Sequence, residues 1–148
     1  MKAREIMKKE VVTVNEHATI REIAQILLDQ KISGVPVVDD EENLVGIVTE
    51  GDLLHKETNP RIPHFVNILG AIIYYNGVQR YDEDFKKLMA GKACEMMTAK
   101  VITVGENADM DEVVKLMIAH GIKRVPVVKD HKILGIVSRA DIIRALLG

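Results

Sequence analysis

Tryptophan is absent from this sequence, and cysteine occurs once, at Cys94. A single cysteine excludes an intrachain disulfide and fits a reducing compartment. Cys94 stands close to Lys92 and beside Glu95, whose charges oppose each other, so it reads as an inert thiol. Charge of neither sign dominates: 20 Lys and Arg face 22 Asp and Glu, a net charge of −2. The basic residues are dispersed among acidic ones, which gives no general attraction to nucleic acid or to an anionic membrane. Long apolar runs are missing too. The longest outside the repeats described below, Ile68 to Tyr75, is too short to span a bilayer. The opening MKAREIMKKEVV is charged throughout and does not read as a signal peptide. A cytoplasmic protein, with neither nucleic acid nor membrane as partner, is the expectation.

Aromatic residues are few and confined to one region. Phe65, Tyr74, Tyr75, Tyr81 and Phe85 are the whole set. Histidine gives no metal signature. His55 and His64 are loosely spaced and have no acidic or cysteine cluster beside them, so no metal site is expected. His17, His120 and His131 fall at turns or helix ends and read as solvent-facing. The sequence contains no G-x-S-x-G, no H-E-x-x-H and no Walker-type loop, and the chain is not expected to be an enzyme.

What is present is an internal repeat. Glu5 to Val38 (EIMKKEVVTVNEHATIREIAQILLDQKISGVPVV) aligns without a gap on Glu95 to Val128 (EMMTAKVITVGENADMDEVVKLMIAHGIKRVPVV) at a constant offset of 90 residues. After the turn that follows, the offset is 89, so that GIVTEGDLL (Gly46 to Leu54) falls on GIVSRADII (Gly135 to Ile143). Such self-similarity over a whole unit decides the fold. Three segments result: a first repeat over 1–55, an insert over 56–92 and a second repeat over 93–148.

Each repeat reads as strand, helix, strand, strand, helix. The apolar stretches VVTV and VITV are extended. The next helix opens on a capping box, Thr19 with Glu22 and Asp109 with Glu112. Its apolar stripe is Ile20, Ile23, Ala24, Leu27 and Leu28, matched by Met110, Val113, Val114, Met117 and Ile118. That spacing describes one buried helix face. Gly121 suits a left-handed cap at the end of the second helix, where the first has Lys31. Two β-branched runs joined by a polar turn read as a hairpin. Met7, Met97, Met110 and Met117 occupy apolar positions and read as core. In the insert, Pro60 and Pro63 break the backbone, and HFVNILGAIIYY predicts an apolar helix. The fold class is α/β (α+β). A unit of about 50 residues makes a marginal core alone, so the two pseudo-symmetric repeats are expected to pack through their sheets, with two equivalent clefts.

The motifs EIMKKEVVTV and EMMTAKVITV, SGVPVVD and KRVPVVK, GIVTEGDLL and GIVSRADII stand in the order found in tandem cystathionine-β-synthase (CBS) domains. The chain resembles such a pair, a Bateman module of the small stand-alone bacterial and archaeal type. That resemblance implies a non-catalytic regulatory module binding an adenosyl ligand in the clefts, such as AMP, ADP, ATP or S-adenosylmethionine. No other cofactor is required. It implies a homodimer as well, and a protein partner regulated in trans. In the family the hydroxyl of the T/S-x-x-D corner holds phosphate and the aspartate holds the ribose diol. Carried over, one site comprises Ser138, Asp141, Ile136, Lys123 and Arg124, lined by Met7, Val12, Ile32 and Ser33. The other comprises Thr49, Asp52, Ile47 and Gly34, lined by Met97, Ile102, Ile122 and Lys123.

Each feature also has a structural explanation. Thr49 and Ser138 are good N-cap residues, and an acid at the third helical position meets the helix dipole. The same corner suits a nucleotide, because a helix N-terminus offers N–H groups to phosphate and a carboxylate can bind a ribose diol. Lys123 and Arg124 replace Ser33 and Gly34 of the first repeat. They read as a solvated pair or as phosphate ligands that make the two sites unequal. Adenine would rest on aliphatic side chains, unless Tyr74, Tyr75 or Tyr81 of the insert, or another subunit, supplied an aromatic. Packing of the insert over the repeats is the favoured role of those tyrosines. The rival readings are a ligand-free structural or protein-interaction module, and a nucleotide enzyme that lacks an evident nucleophile or acid–base pair.

Overall fold

The computed structural model describes residues 1–54 and 89–148. The predicted insert helix, the five aromatic residues, Pro60, Pro63, His55 and His64 lie outside the described residues. In chain order the described elements are α1 (Ala3–Ile6), β1 (Val14–Asn15), α2 (Ile20–Gln30), β2 (Gly34–Val38), β3 (Leu44–Thr49) and α3 (Glu50–Leu54). Then follow α4 (Ala93–Met96), α5 (Met110–His120), β4 (Arg124–Lys129), β5 (Lys132–Ser138) and α6 (Arg139–Leu146). The strands form two small sheets, β1-β2-β3 and β4-β5. The class is mixed α/β, as expected.

The helices obey their sequence signals with two instructive departures. Thr19 caps α2, its hydroxyl accepting the Glu22 N–H at 3.1 Å, and Ile20, Ile23, Ala24 and Leu27 are buried below it. Asp109 makes no side-chain cap on α5. Its carboxylate accepts Lys2 Nζ at 2.7 Å instead, since an ammonium is a stronger donor than a neutral amide N–H. The last stripe position reaches the surface in both repeats, Leu28 being 50% and Ile118 76% exposed. At 3.6 residues per turn that position is rotated by about 80° from the first residue of the stripe, on the rim of the face. Both helices end in a left-handed residue, Gly121 at φ 62° and Lys31 at φ 54°. Lys31 adopts this conformation although only glycine does so without a Cβ penalty.

The β4–β5 hairpin is antiparallel, with a bulge between Val127 and Val128. Asp130 and His131 form its turn, both at positive φ, the geometry that matches the twist of the two strands. His17, His120 and His131 are exposed, as read. The opening extended stretches pair less than expected. Only Val14 and Asn15 form a strand, parallel to β2, and Val104 makes a single parallel bridge to Val127.

The described chain divides into two compact units, and it crosses from one to the other between Val12 and Thr13 and again between Ala99 and Lys100. One unit holds Met1–Val12, Glu42–Leu44 and Lys100–Gly148; the other holds Thr13–Glu41 and the described part of Val45–Ala99. Each unit therefore combines the body of one repeat with the opening segment of the other. In the first unit Ala3 N–H donates to Ala108 O at 2.8 Å, and Lys8 and Ile136 exchange backbone bonds of 2.9 and 3.0 Å. In the second, Ala93 N–H donates to Ala18 O at 2.8 Å, and Thr98 and Ile47 exchange bonds of 2.9 and 3.1 Å. Ala3 and Ala93 are fully buried in these joints. The first unit's core is Ala3, Val104, Val113, Met117, Val125, Val127, Val137 and Ile142, with Met7 and Met110 packed against it.

Candidate functional site: two hydroxyl–carboxylate corners

Strand β5 turns into α6 at Ser138, whose extended backbone marks it as the N-cap. Its Oγ accepts the Asp141 N–H at 3.2 Å. Asp141 Oδ2 in turn accepts the Ser138 N–H at 2.8 Å and the Ser138 hydroxyl at 2.9 Å. The Asp141 side chain is only 3% exposed, and its other oxygen, Oδ1, receives Arg144 Nη2 from the next turn of α6. This is a closed corner, with both carboxylate oxygens occupied. A buried carboxylate has to be paired in this way, because an unpaired one would be too costly to desolvate.

The Thr49 corner repeats the scaffold. Asp52 N–H donates to Thr49 Oγ1 at 3.3 Å, and Thr49 N–H donates to Asp52 Oδ2 at 2.9 Å. Asp52 is half-buried, and its Oδ1 accepts the Thr98 hydroxyl at 3.4 Å. That bond is long and its donor is uncharged. So the two corners share a capping box and differ in what holds the outer carboxylate oxygen.

Flanking groups are fixed by the same backbone logic. Arg139 N–H donates to Lys123 O at 3.1 Å, and Glu50 N–H to Ser33 O at 2.9 Å, which brings the residue before each Pro-Val strand to its own corner. Arg124 lies directly opposite Ser138 across the β4–β5 ladder. Ile136 and Ile47, half-buried, are held by the bridges to Lys8 and Thr98. Behind them, Met7 covers Gly135 and Met97 covers Gly46 so closely that a Cβ at either glycine would collide.

Ser138, Asp141, Ile136, Lys123, Arg124, Met7 and Val12 thus occur in one unit, together with Ile102 and Ile122. Thr49, Asp52, Ile47, Gly34 and Met97 occur in the other, together with Ile32 and Ser33. Two residues escaped the sequence reading. Arg144 carried a signal, its i, i+3 spacing from Asp141. Thr98 carried none, because only the long-range Ile47–Thr98 bridge brings it to Asp52. Among the described residues there is no group of three His, Cys, Asp or Glu side chains that could hold a metal ion. No described helix is long and apolar enough to cross a membrane.

Repeated strand–strand–helix bodies with exchanged opening segments and a T/S-x-x-D corner define a tandem-repeat module. The CBS domain model matches residues 3–58 and 93–148, and the chain belongs to the CBS domain family. It is 31% identical over 155 residues to protein MJ1426 of Methanocaldococcus jannaschii, covering 99% of this chain and 92% of that one. Among solved structures it is similar to the CBS domain of a CBS domain containing membrane protein from Sphaerobacter thermophilus. The identity there is 32% and the TM-score 0.74, with 97% and 86% of the two chains covered. It is also similar to the CBS domain pair of protein MJ0100, solved in complex with 5′-methylthioadenosine and S-adenosyl-L-methionine. That identity is 28% and the TM-score 0.70, over 100% of this chain and 97% of that one.

Proposed function

We propose that this chain is a non-catalytic regulatory module whose two hydroxyl–carboxylate corners bind adenosyl ligands. The observation that carries the reading is the recurrence of the corner in both units: a hydroxyl at a helix start, a carboxylate three residues later and a half-buried isoleucine on the strand before it. A helix start favours phosphate and a carboxylate accepts the hydroxyls of a ribose. The MJ0100 pair, similar along the whole of this chain, was solved with two adenosyl compounds. In the proposed sites Ser138 and Thr49 face phosphate, and Asp141 and Asp52 take the diol. Ile136 and Ile47 flank adenine, with Met7, Val12, Ile32, Ser33, Gly34, Met97, Ile102 and Ile122 as lining residues. Lys123 and Arg124 favour an anionic group at the Ser138 corner, since Arg124 stands across the ladder from it. Filling a site can shift an equilibrium only through unequal affinity for two states. The module therefore acts on a second copy or on a protein regulated in trans, in the cytoplasm.

Thermal unfolding with AMP, ADP, ATP, adenosine, 5′-methylthioadenosine and S-adenosylmethionine tests this. A ligand at 100 times its Kd stabilises by about 2.7 kcal/mol. Loss of that shift in an Asp52→Asn/Asp141→Asn double variant would assign it to the corners. The rival, a structural module whose corners serve only as helix caps, draws support from the closed corner at Asp141. It is the correct reading if none of these compounds moves the transition.

A further inference from the structure

We infer that Arg144 sets the class of ligand accepted at the Asp141 corner, admitting anionic adenosyl compounds and resisting neutral ones. The inference rests on the adenosyl-binding reading and deepens it. Asp141 Oδ2 is committed to the Ser138 N–H and hydroxyl at 2.8 and 2.9 Å. Only Oδ1 remains for a ribose diol, and the Arg144 guanidinium holds it. Oδ1 has two acceptor sites, so a diol that brings both of its hydroxyls to it competes with the cation for one of them. The Asp141 side chain is 3% exposed whereas that of Arg144 is 60% exposed, so Arg144 is the partner able to move. Once displaced, its guanidinium is still tethered to α6 one turn beyond Asp141, and it has given up the acidic partner it holds among the described residues. A phosphate or carboxylate on the ligand supplies one, with the paired oxygens a guanidinium prefers. Adenosine or 5′-methylthioadenosine supplies none.

The Asp52 corner has no such toll in its described part. Its outer oxygen is held by the Thr98 hydroxyl at 3.4 Å, a neutral donor that a diol can replace in kind. The position matching Arg144 in the first repeat is His55, outside the described residues. By this logic the two corners sort ligands: neutral nucleosides at Asp52, anionic ones at Asp141.

The test is calorimetric titration of AMP and adenosine into Asp52→Asn protein, in which the Asp141 corner is the site observed, with and without Arg144→Gln. With Arg144 present, AMP should bind more tightly than adenosine. Arg144→Gln should tighten adenosine and weaken AMP, shrinking their affinity ratio by about fivefold, the scale of a partly exposed ion pair. An adenosine affinity that stays constant or falls in Arg144→Gln overturns the inference while leaving adenosyl binding intact. Failure of both compounds to bind overturns the parent reading of this corner as well. Should Asp52→Asn not fold, a two-site titration of Arg144→Gln against the unmodified chain decides the matter. Only one set of parameters should then change. Arg124 cannot mimic the result, because removing a phosphate ligand does not tighten a ligand without phosphate.

Discussion

Met7 lies across Gly135 so closely that a Cβ on that glycine would stand 2.5 Å from the methionine sulfur and 2.8 Å from the Lys8 carbonyl oxygen. The opening segment of one repeat thus passes directly over the strand of the other, and the glycine of each GIV motif is the clearance that lets it through. At Gly46 the same relationship holds with Met97, and there the three nearest atoms all belong to the methionine side chain.

This difference predicts unequal costs for one substitution. Gly135→Ala should destabilise by about 2–3 kcal/mol, an overpacking cost with backbone in the way, and Gly46→Ala by about 1 kcal/mol. Met97→Ala should relieve most of the Gly46→Ala defect. Met7→Ala should relieve only part of the Gly135→Ala defect, because the Lys8 carbonyl remains. Urea unfolding of the single and double variants gives the coupling energies.

The helix ends offer a stabilising change. Lys31 holds φ 54° with a side chain attached, so Lys31→Gly should gain about 1 kcal/mol. Gly121→Ala, at φ 62°, should lose about the same. A shift of the thermal midpoint in the same direction for both variants would contradict the cap assignment.

Removing the capping hydroxyls measures the structural share of each corner. Ser138→Ala should cost about 1–2 kcal/mol, since that hydroxyl both donates to and accepts from Asp141. Thr49→Ser, which keeps the hydroxyl, should be nearly neutral. Thr49→Ala should cost about 1 kcal/mol or less, its hydroxyl accepting one bond of 3.3 Å. Denaturant midpoints in the absence of any nucleotide are the readout.

The Lys2–Asp109 pair gives a pH signature. Lys2, by its hydrogen bond and then its charge, holds the Asp109 carboxyl below its ordinary value. A carboxyl whose folded-state value is lowered adds stability above the ordinary carboxylate range, and that stability is lost as pH falls through the lowered value. The difference between the intact chain and Lys2→Ala should therefore be present at neutral pH and vanish in acid. It should also shrink at high salt, because both partners are exposed. NMR titration of Asp109 in Lys2→Ala should return its carboxyl to the ordinary range.

Much of this was legible in the chain because its signals are local. Periodicity located α2 and α5, Gly121 marked a helix end, and the offset of GIVTEGDLL and GIVSRADII revealed two equivalent corners. The Asp109 cap that the sequence predicts does not form, because its competitor, Lys2, lies 107 residues away. Leu28 and Ile118 fit the stripe yet reach the surface, because spacing alone does not say how wide a face the sheet covers.

Local signals in the chain suffice for the elements, their duplication and the capping of the corners, since capping and turns are settled by residues three or four apart. Which opening segment joins which repeat body is a matter of tertiary folding, and that folding sets Met7 over Gly135 and Thr98 beside Asp52. It decided, too, how deeply Asp141 is buried beside its i, i+3 neighbour Arg144, and that a distant hydroxyl holds Asp52. Burial and long-range backbone pairing fix those partners, and neither is encoded in any short stretch of chain.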